Sequence, residues 1–110
     1  KPMDHSTACL LLDFYGHLLP ARAREMLDLH VQEDLSLGEI ADHLGVTRQA
    51  VHDGVRRAMD HLRRLEDELG LAARFLEQRS EIAAAIDALD RGQADEAAGR
   101  LKALLARISG

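Results

Sequence analysis

The sequence predicts an all-α protein, a helix-turn-helix bundle followed by a C-terminal helical hairpin. Three observations predict it. Apolar residues recur at three- and four-residue spacing along most of the chain. The periodic stretches are separated by helix-starting and helix-stopping residues, among them Pro20, Ser36, Gly45, Thr47 and Gly70. The composition, 46% hydrophobic and 30% charged with 3% aromatic, suits helices that each hide one aliphatic stripe. A length of 110 residues fits one domain with a small second substructure. The bundle is expected over residues 1–70, with the helix-turn-helix at 36–57, and the hairpin over 71–110.

A first helix is expected from about Asp4 to Leu19, with Leu11, Phe14, Tyr15 and Leu18 on one side and Ser6, Cys9, Asp13 and His17 on the other. Pro20 ends it, because the ring removes a donor and disfavours helical geometry at Leu19. The same proline suits the start of a second helix. That helix should run from Ala21 to Gln32 with Ala23, Met26, Leu27 and His30 or Val31 inward, and Glu33, Asp34 and Leu35 should link it to the next.

From Ser36 to Arg57 the order of residues is that of a helix-turn-helix. Ser36 followed three residues later by Glu39 is a capping box, in which each side chain satisfies the other's backbone N–H. Ile40 and Leu44 supply apolar contacts, and Ala41 lets a second helix cross close by. Gly45 can take the positive φ that ends a helix. Thr47 then caps a long helix whose stripe is Val51, Val55, Ala58, Leu62, Leu65 and Leu69, with Gly70 as its stop or kink.

Beyond Gly70, a helix from Ala72 to Asp90 should present Phe75, Leu76, Ile82, Ala83, Ile86 and Leu89 as a narrow, coiled-coil-like seam. Arg91, Gly92 and Gln93 make a turn. A last helix from Ala94 to Ile108 carries Ala94, Ala97, Ala98, Leu101, Leu104, Leu105 and Ile108 on one face, and its small residues, Gly99 included, allow close helix approach. This hairpin is a candidate partner or homodimer surface.

The composition also narrows function. The net charge is -5, with the acidic excess before Gly70, so any nucleic-acid binding must come from a local patch. Three aromatic residues and no Trp give little support for base-stacking platforms. A single cysteine rules out an intramolecular disulfide and fits a reducing compartment, so a cytoplasmic location is expected. The apolar run Ala8 to Leu19 is too short and too interrupted for a membrane span or a signal peptide.

No enzyme chemistry is expected. Cys9 and His17 share a face but would lie roughly 12 Å apart along a helix axis, beyond hydrogen-bond reach. The 6 histidines have none of the spacing of a zinc site, so no metal is expected, and with no phosphate-cradling glycine loop no cofactor is expected either.

With Val51 inward, the long helix turns Gln49, His52, Asp53 and Arg56 outward, flanked by Arg48 and Arg57. In helix-turn-helix proteins early residues of this helix meet base edges and later basic residues meet phosphates. These six residues are the candidate nucleic-acid or partner-binding set. Asp53 and Asp60 counter phosphate binding, and Asp53–Arg57 and Asp60–Arg63 or Asp60–Arg64 pairs are expected at helical spacing.

The segments Leu11–Tyr15 (LLDFY), Glu33–Asp42 (EDLSLGEIAD) and Val46–Asp53 (VTRQAVHD), with Val55, Arg56 and Arg57, resemble the YlxM-like family of small bacterial proteins. The resemblance spans about Leu10 to Leu71. Pro20 stands where a polar cap is usual and Gly54 where a larger residue is common. The resemblance implies an all-helical fold, homodimers and a regulatory role with the signal recognition particle, through its RNA or protein component. More distantly, Leu19 to Arg64 is similar to region 4 of sigma factors, which implies a DNA-binding transcriptional regulator as the alternative. A protein-interaction module that binds no nucleic acid is a third reading.

Overall fold

The structure, a computed structural model, describes residues 3–109; residues 1, 2 and 110, where the expected bundle begins and the expected hairpin ends, lie outside the described residues. It is all-α, with six α-helices and no strand among the described residues: α1 His5–Tyr15, α2 Ala21–Leu27, α3 Leu37–Leu44, α4 Arg48–Leu69, α5 Leu71–Asp90 and α6 Ala94–Ser109. The chain divides into two compact units, Lys1–Ala72 and Ala73–Gly110.

In the first unit α4 is the common partner, packing against α1, α2 and α3. The core is built from one or two large side chains per helix, namely Tyr15, Leu27, Ile40, Val51 and Leu62, all fully buried. Asp4 caps α1 by accepting from the Thr7 N–H at 2.7 Å. The expected continuation of α1 to Leu19 is corrected: the chain tightens at Gly16–Leu18 into a 3₁₀ turn. The tighter winding rotates the apolar positions, so Leu18 is 50% exposed and Leu19 goes inward in its place.

A similar correction applies to the second helix expected to Gln32: α2 ends at Leu27 and the chain continues through Asp28–Gln32 as a π-helical turn. Met26, Leu27 and Val31 are buried. His30 is half-buried, and its Nδ1–H donates to the Leu35 carbonyl at 3.1 Å across the link. Within that link Asp34 takes a positive φ of 58°, a conformation that Asp tolerates better than most residues.

The capping box is present as read. Glu39 N–H donates to Ser36 Oγ at 3.1 Å and Ser36 N–H donates to Glu39 Oε1 at 2.9 Å. Gly45 ends α3 at φ 70°, and Thr47 caps α4 by accepting from the Ala50 N–H at 3.0 Å. Of the stripe on α4, Val51, Val55, Ala58 and Leu62 are buried, whereas Leu69, at the helix end, is 45% exposed.

At Gly54, Met26 of α2 lies directly against α4. A Cβ there would lie 2.5 Å from Met26 Sδ, so the glycine is where it is because the methionine is seated against the helix.

A buried tyrosine ties the ends of the first unit together. Tyr15 Oη donates to Glu66 Oε1 at 2.6 Å and accepts from the Leu71 N–H at 3.0 Å. The same Glu66 oxygen accepts from the Ala72 N–H at 3.0 Å. The first turn of α5, which begins directly after the left-handed Gly70, is thereby capped by side chains of α1 and α4.

In the second unit the expected seam is corrected. The residues buried between α5 and α6 are Ala85, Ala88, Ala97 and Leu104, while Phe75, Leu76, Ile82, Ile86 and Leu89 are exposed. The seam is made of small side chains, and the bulky ones are left on the flanks. Gly99 faces open space, so the seam is made by alanine rather than by this glycine. Arg100 with Glu81 at 3.6 Å, and Arg107 with Glu77, link the two helices at the rim.

Two predictions follow from this packing. Tyr15→Phe leaves the Leu71 N–H unpartnered and should lower stability by about 1–3 kcal/mol in denaturant unfolding. Burial, with the Glu66 carboxylate beside it, pushes the Tyr15 hydroxyl above its ordinary value. Its contribution is therefore fully present below the unfolded tyrosine value and is lost as pH rises through the folded one. The parent should lose stability in that alkaline range more steeply than Tyr15→Phe does, and parallel profiles would show that the hydroxyl is not held this way.

Gly54→Ala should raise stability by about 1 kcal/mol in a Met26→Ala background, through helix propensity alone. In the parent the same change should gain less, because the methionine sulfur must move. Equal gains in a thermal-unfolding double-mutant cycle would show that the sulfur does not press on this position.

Candidate nucleic-acid interface

The first two turns of α4 start from the Thr47 cap, so their orientation is fixed by the turn at Gly45 and by burial of Val51. Because Val51 is buried, Gln49, His52 and Arg56 are carried to the exposed side, with Asp53 partly covered between them. The structure thus brings four of the six candidate residues onto one face.

Asp53 organises this face. Its Oδ1 accepts from Gln49 Nε2 at 3.0 Å, and His52 Nδ1 lies 3.4 Å away. The bond with His52 holds the Asp53 carboxyl below its ordinary value; the Gln49 bond and the positive charge of Arg56 add to the effect. The expected Asp53–Arg57 pair is therefore corrected, because the carboxylate is turned toward Gln49 and His52. The expected Asp60–Arg63 pair forms at 2.8 Å. Gln49 keeps one amide hydrogen and its carbonyl for a partner, the donor and acceptor pair that an adenine edge requires.

The other two candidates lie elsewhere. Arg48 folds back along α3, where its Nε would lie 3.6 Å from a Cβ on Gly38. Arg57 lines a groove on the α2 side of the helix together with Arg22, His61 and Arg64. Arg57, His61 and Arg64 share a helical face by spacing alone, but the sequence does not reveal that Arg22 joins them from α2. The histidine beside Cys9 is His5, one turn before it, with Sγ and Nε2 3.4 Å apart.

A capped short helix, a left-handed glycine and a long second helix with polar side chains on its outer face define a helix-turn-helix protein. The chain belongs to the UPF0122 family of YlxM / p13-like helix-turn-helix proteins, whose family model matches residues 4–101. That match extends through α5 into α6, well past the Leu71 limit of the resemblance read from motifs.

A UPF0122 protein of Desulforamulus reducens is 42% identical over 102 residues, covering 90% of this chain and 87% of its own. One of Symbiobacterium thermophilum is 42% identical over 103 residues, covering 91% and 96%. A relative from Acetivibrio thermocellus is 52% identical over 73 residues, covering 66% of this chain and 62% of its own length, so that match spans less than two thirds of the relative. No helix among the described residues is long and apolar enough to cross a membrane.

Proposed function

We propose that this chain is a non-enzymatic helix-turn-helix regulator that acts in the cytoplasm with the signal recognition particle, contacting the particle's RNA or protein component through the first turns of α4. The observation that carries the reading is the exposed set Gln49, His52 and Arg56, held in register by Asp53 at the start of the second motif helix. Membership of a helix-turn-helix family supports the use of α4 as the contact surface. The helix-turn-helix also supports the alternative of a sigma-like DNA-binding regulator, in which Arg48 and Gln49 read bases.

The test is binding of the full chain to the particle's RNA, to its protein component, to their complex and to random duplex DNA, across a salt series. The expected result is binding to the RNA, the protein or their complex. Arg56→Ala should weaken RNA binding several-fold and reduce the salt slope by about 1, the signature of one phosphate contact. Gln49→Ala should reduce discrimination among sequences with a smaller effect on the slope. No binding to any particle component overturns the proposal, and enrichment of a specific duplex sequence that is lost in Arg48→Ala selects the sigma-like alternative.

The same proposal includes a homodimer through the second unit. Support comes from its exposed large apolar side chains, which include Leu76, Ile82, Ile86 and Leu89 on α5 and Leu101, Leu105 and Ile108 on α6. Each helix carries them outside the alanine seam, so covering them requires another surface. Sedimentation velocity should show a concentration-dependent dimer, and Ile86→Asp with Leu105→Asp should return it to monomer with the helical circular-dichroism signal retained. A parent that stays monomeric at high concentration overturns this part.

A further inference from the structure

Away from Gln49 and Asp53, α4 presents a second surface of different chemistry. An open groove of about 370 Å³ lies between α2 and α4. Its floor is apolar, formed by Ala23, Met26, Gly54 and Ala58, and its rim carries Arg22, Arg57, His61 and Arg64. Among the described residues no carboxylate lines it, although the chain as a whole has 19 acidic against 14 basic residues. Arg22, Arg57 and Arg64 form no ion pair with any described residue, whereas Arg24 and Arg63 of the same two helices lie beside Asp28 and Asp60.

We infer that this groove docks an acidic amphipathic helix of a partner protein. Arg57, His61 and Arg64 follow one another at four- and three-residue spacing, so they track roughly 10 Å of helix axis. Carboxylates at the same spacing on a docked helix meet them in turn, with Arg22 facing from the opposite wall. The floor takes an aliphatic or aromatic side chain from the apolar stripe of that helix. Met26 suits this role because its unbranched thioether adapts to the shape placed against it. Gly54 lets the methionine lie flat against α4, which keeps the groove open.

A phosphodiester strand is the lesser fit. It would engage the arginines and leave the methionine and alanine floor wet, with no gain from burying it. The groove is separate from the Gln49–Asp53–Arg56 face, so this inference does not rest on the proposed nucleic-acid role.

The test titrates the full chain into a fluorescent synthetic peptide with leucines on one helical stripe and glutamates flanking it. The comparison probes are a scrambled peptide of the same composition, polyglutamate, an RNA hairpin and phosphatidylglycerol vesicles. The amphipathic peptide should bind about tenfold or more tightly than the scrambled one and should shift the amide resonances of Ala23, Gly54 and Ala58. Arg22→Glu with Arg64→Glu should weaken it about tenfold or more, and Arg22→Lys with Arg64→Lys should retain most of the binding. Ala23→Glu, which charges the floor, should abolish it, with thermal unfolding of each variant confirming the fold.

Equal binding of scrambled and amphipathic peptides overturns the inference. So does indifference to the double charge reversal, or occupation of the same amides by polyglutamate, RNA or vesicles at equal affinity.

Discussion

The first unit depends on one hydroxyl. Tyr15 is fully buried, and a buried hydroxyl without a partner costs about 1–3 kcal/mol. Here it has two partners, far away in sequence: the Glu66 carboxylate and the Leu71 N–H. The arrangement answers a local problem of chain economy. Gly70 closes α4 in the left-handed conformation and α5 begins at the very next residue, so no residue stands free between them to act as an ordinary cap. The orphan N–H groups of Leu71 and Ala72 are met instead by Tyr15 and Glu66. Closing α1 onto α4 and starting α5 are thus one event.

Elements whose determinants are local were legible in the sequence. Ser36, Glu39, Gly45 and Thr47 each act on groups three or four residues away, and all four take the geometry their chemistry requires. The failures share a different cause. Periodicity assumes regular winding, and the 3₁₀ turn at Gly16–Leu18 broke that assumption, so Leu18 and Leu19 exchanged places. In α5 hydrophobicity ranks the large side chains first, yet the seam is made by alanines. The buried positions are Ala85 and Ala88, one step along the helix from Ile86 and Leu89, which lie outside with Ile82. Tyr15–Glu66 and the company of Arg22 with Arg57 are tertiary, and no spacing within one segment encodes them.

At the candidate site, helical spacing encodes the face and leaves its wiring open. Asp53 has Gln49 and Arg57 as equally spaced neighbours, one turn before and one turn after. Spacing therefore does not choose between them. Arg57 lines the groove on the α2 side of the helix, and Asp53 binds Gln49 and the adjacent His52. The result is two differently charged faces on one helix.

That division bears on what α4 can recognise. The face around Asp53 holds a carboxylate kept ionised by its own hydrogen bonds, which repels phosphate at its centre. Phosphate contact is then confined to flanking cations such as Arg56, and two or three such contacts give a salt dependence far below that of a protein making six to ten. Tight, sequence-blind binding to long duplexes is disfavoured by this arithmetic and by the overall charge of -5. A partner that offers hydrogen-bonding groups to Gln49 and His52 and few phosphates near Asp53 is favoured. The exposed bases of a folded RNA and the polar surface of a protein both meet that description better than duplex DNA does.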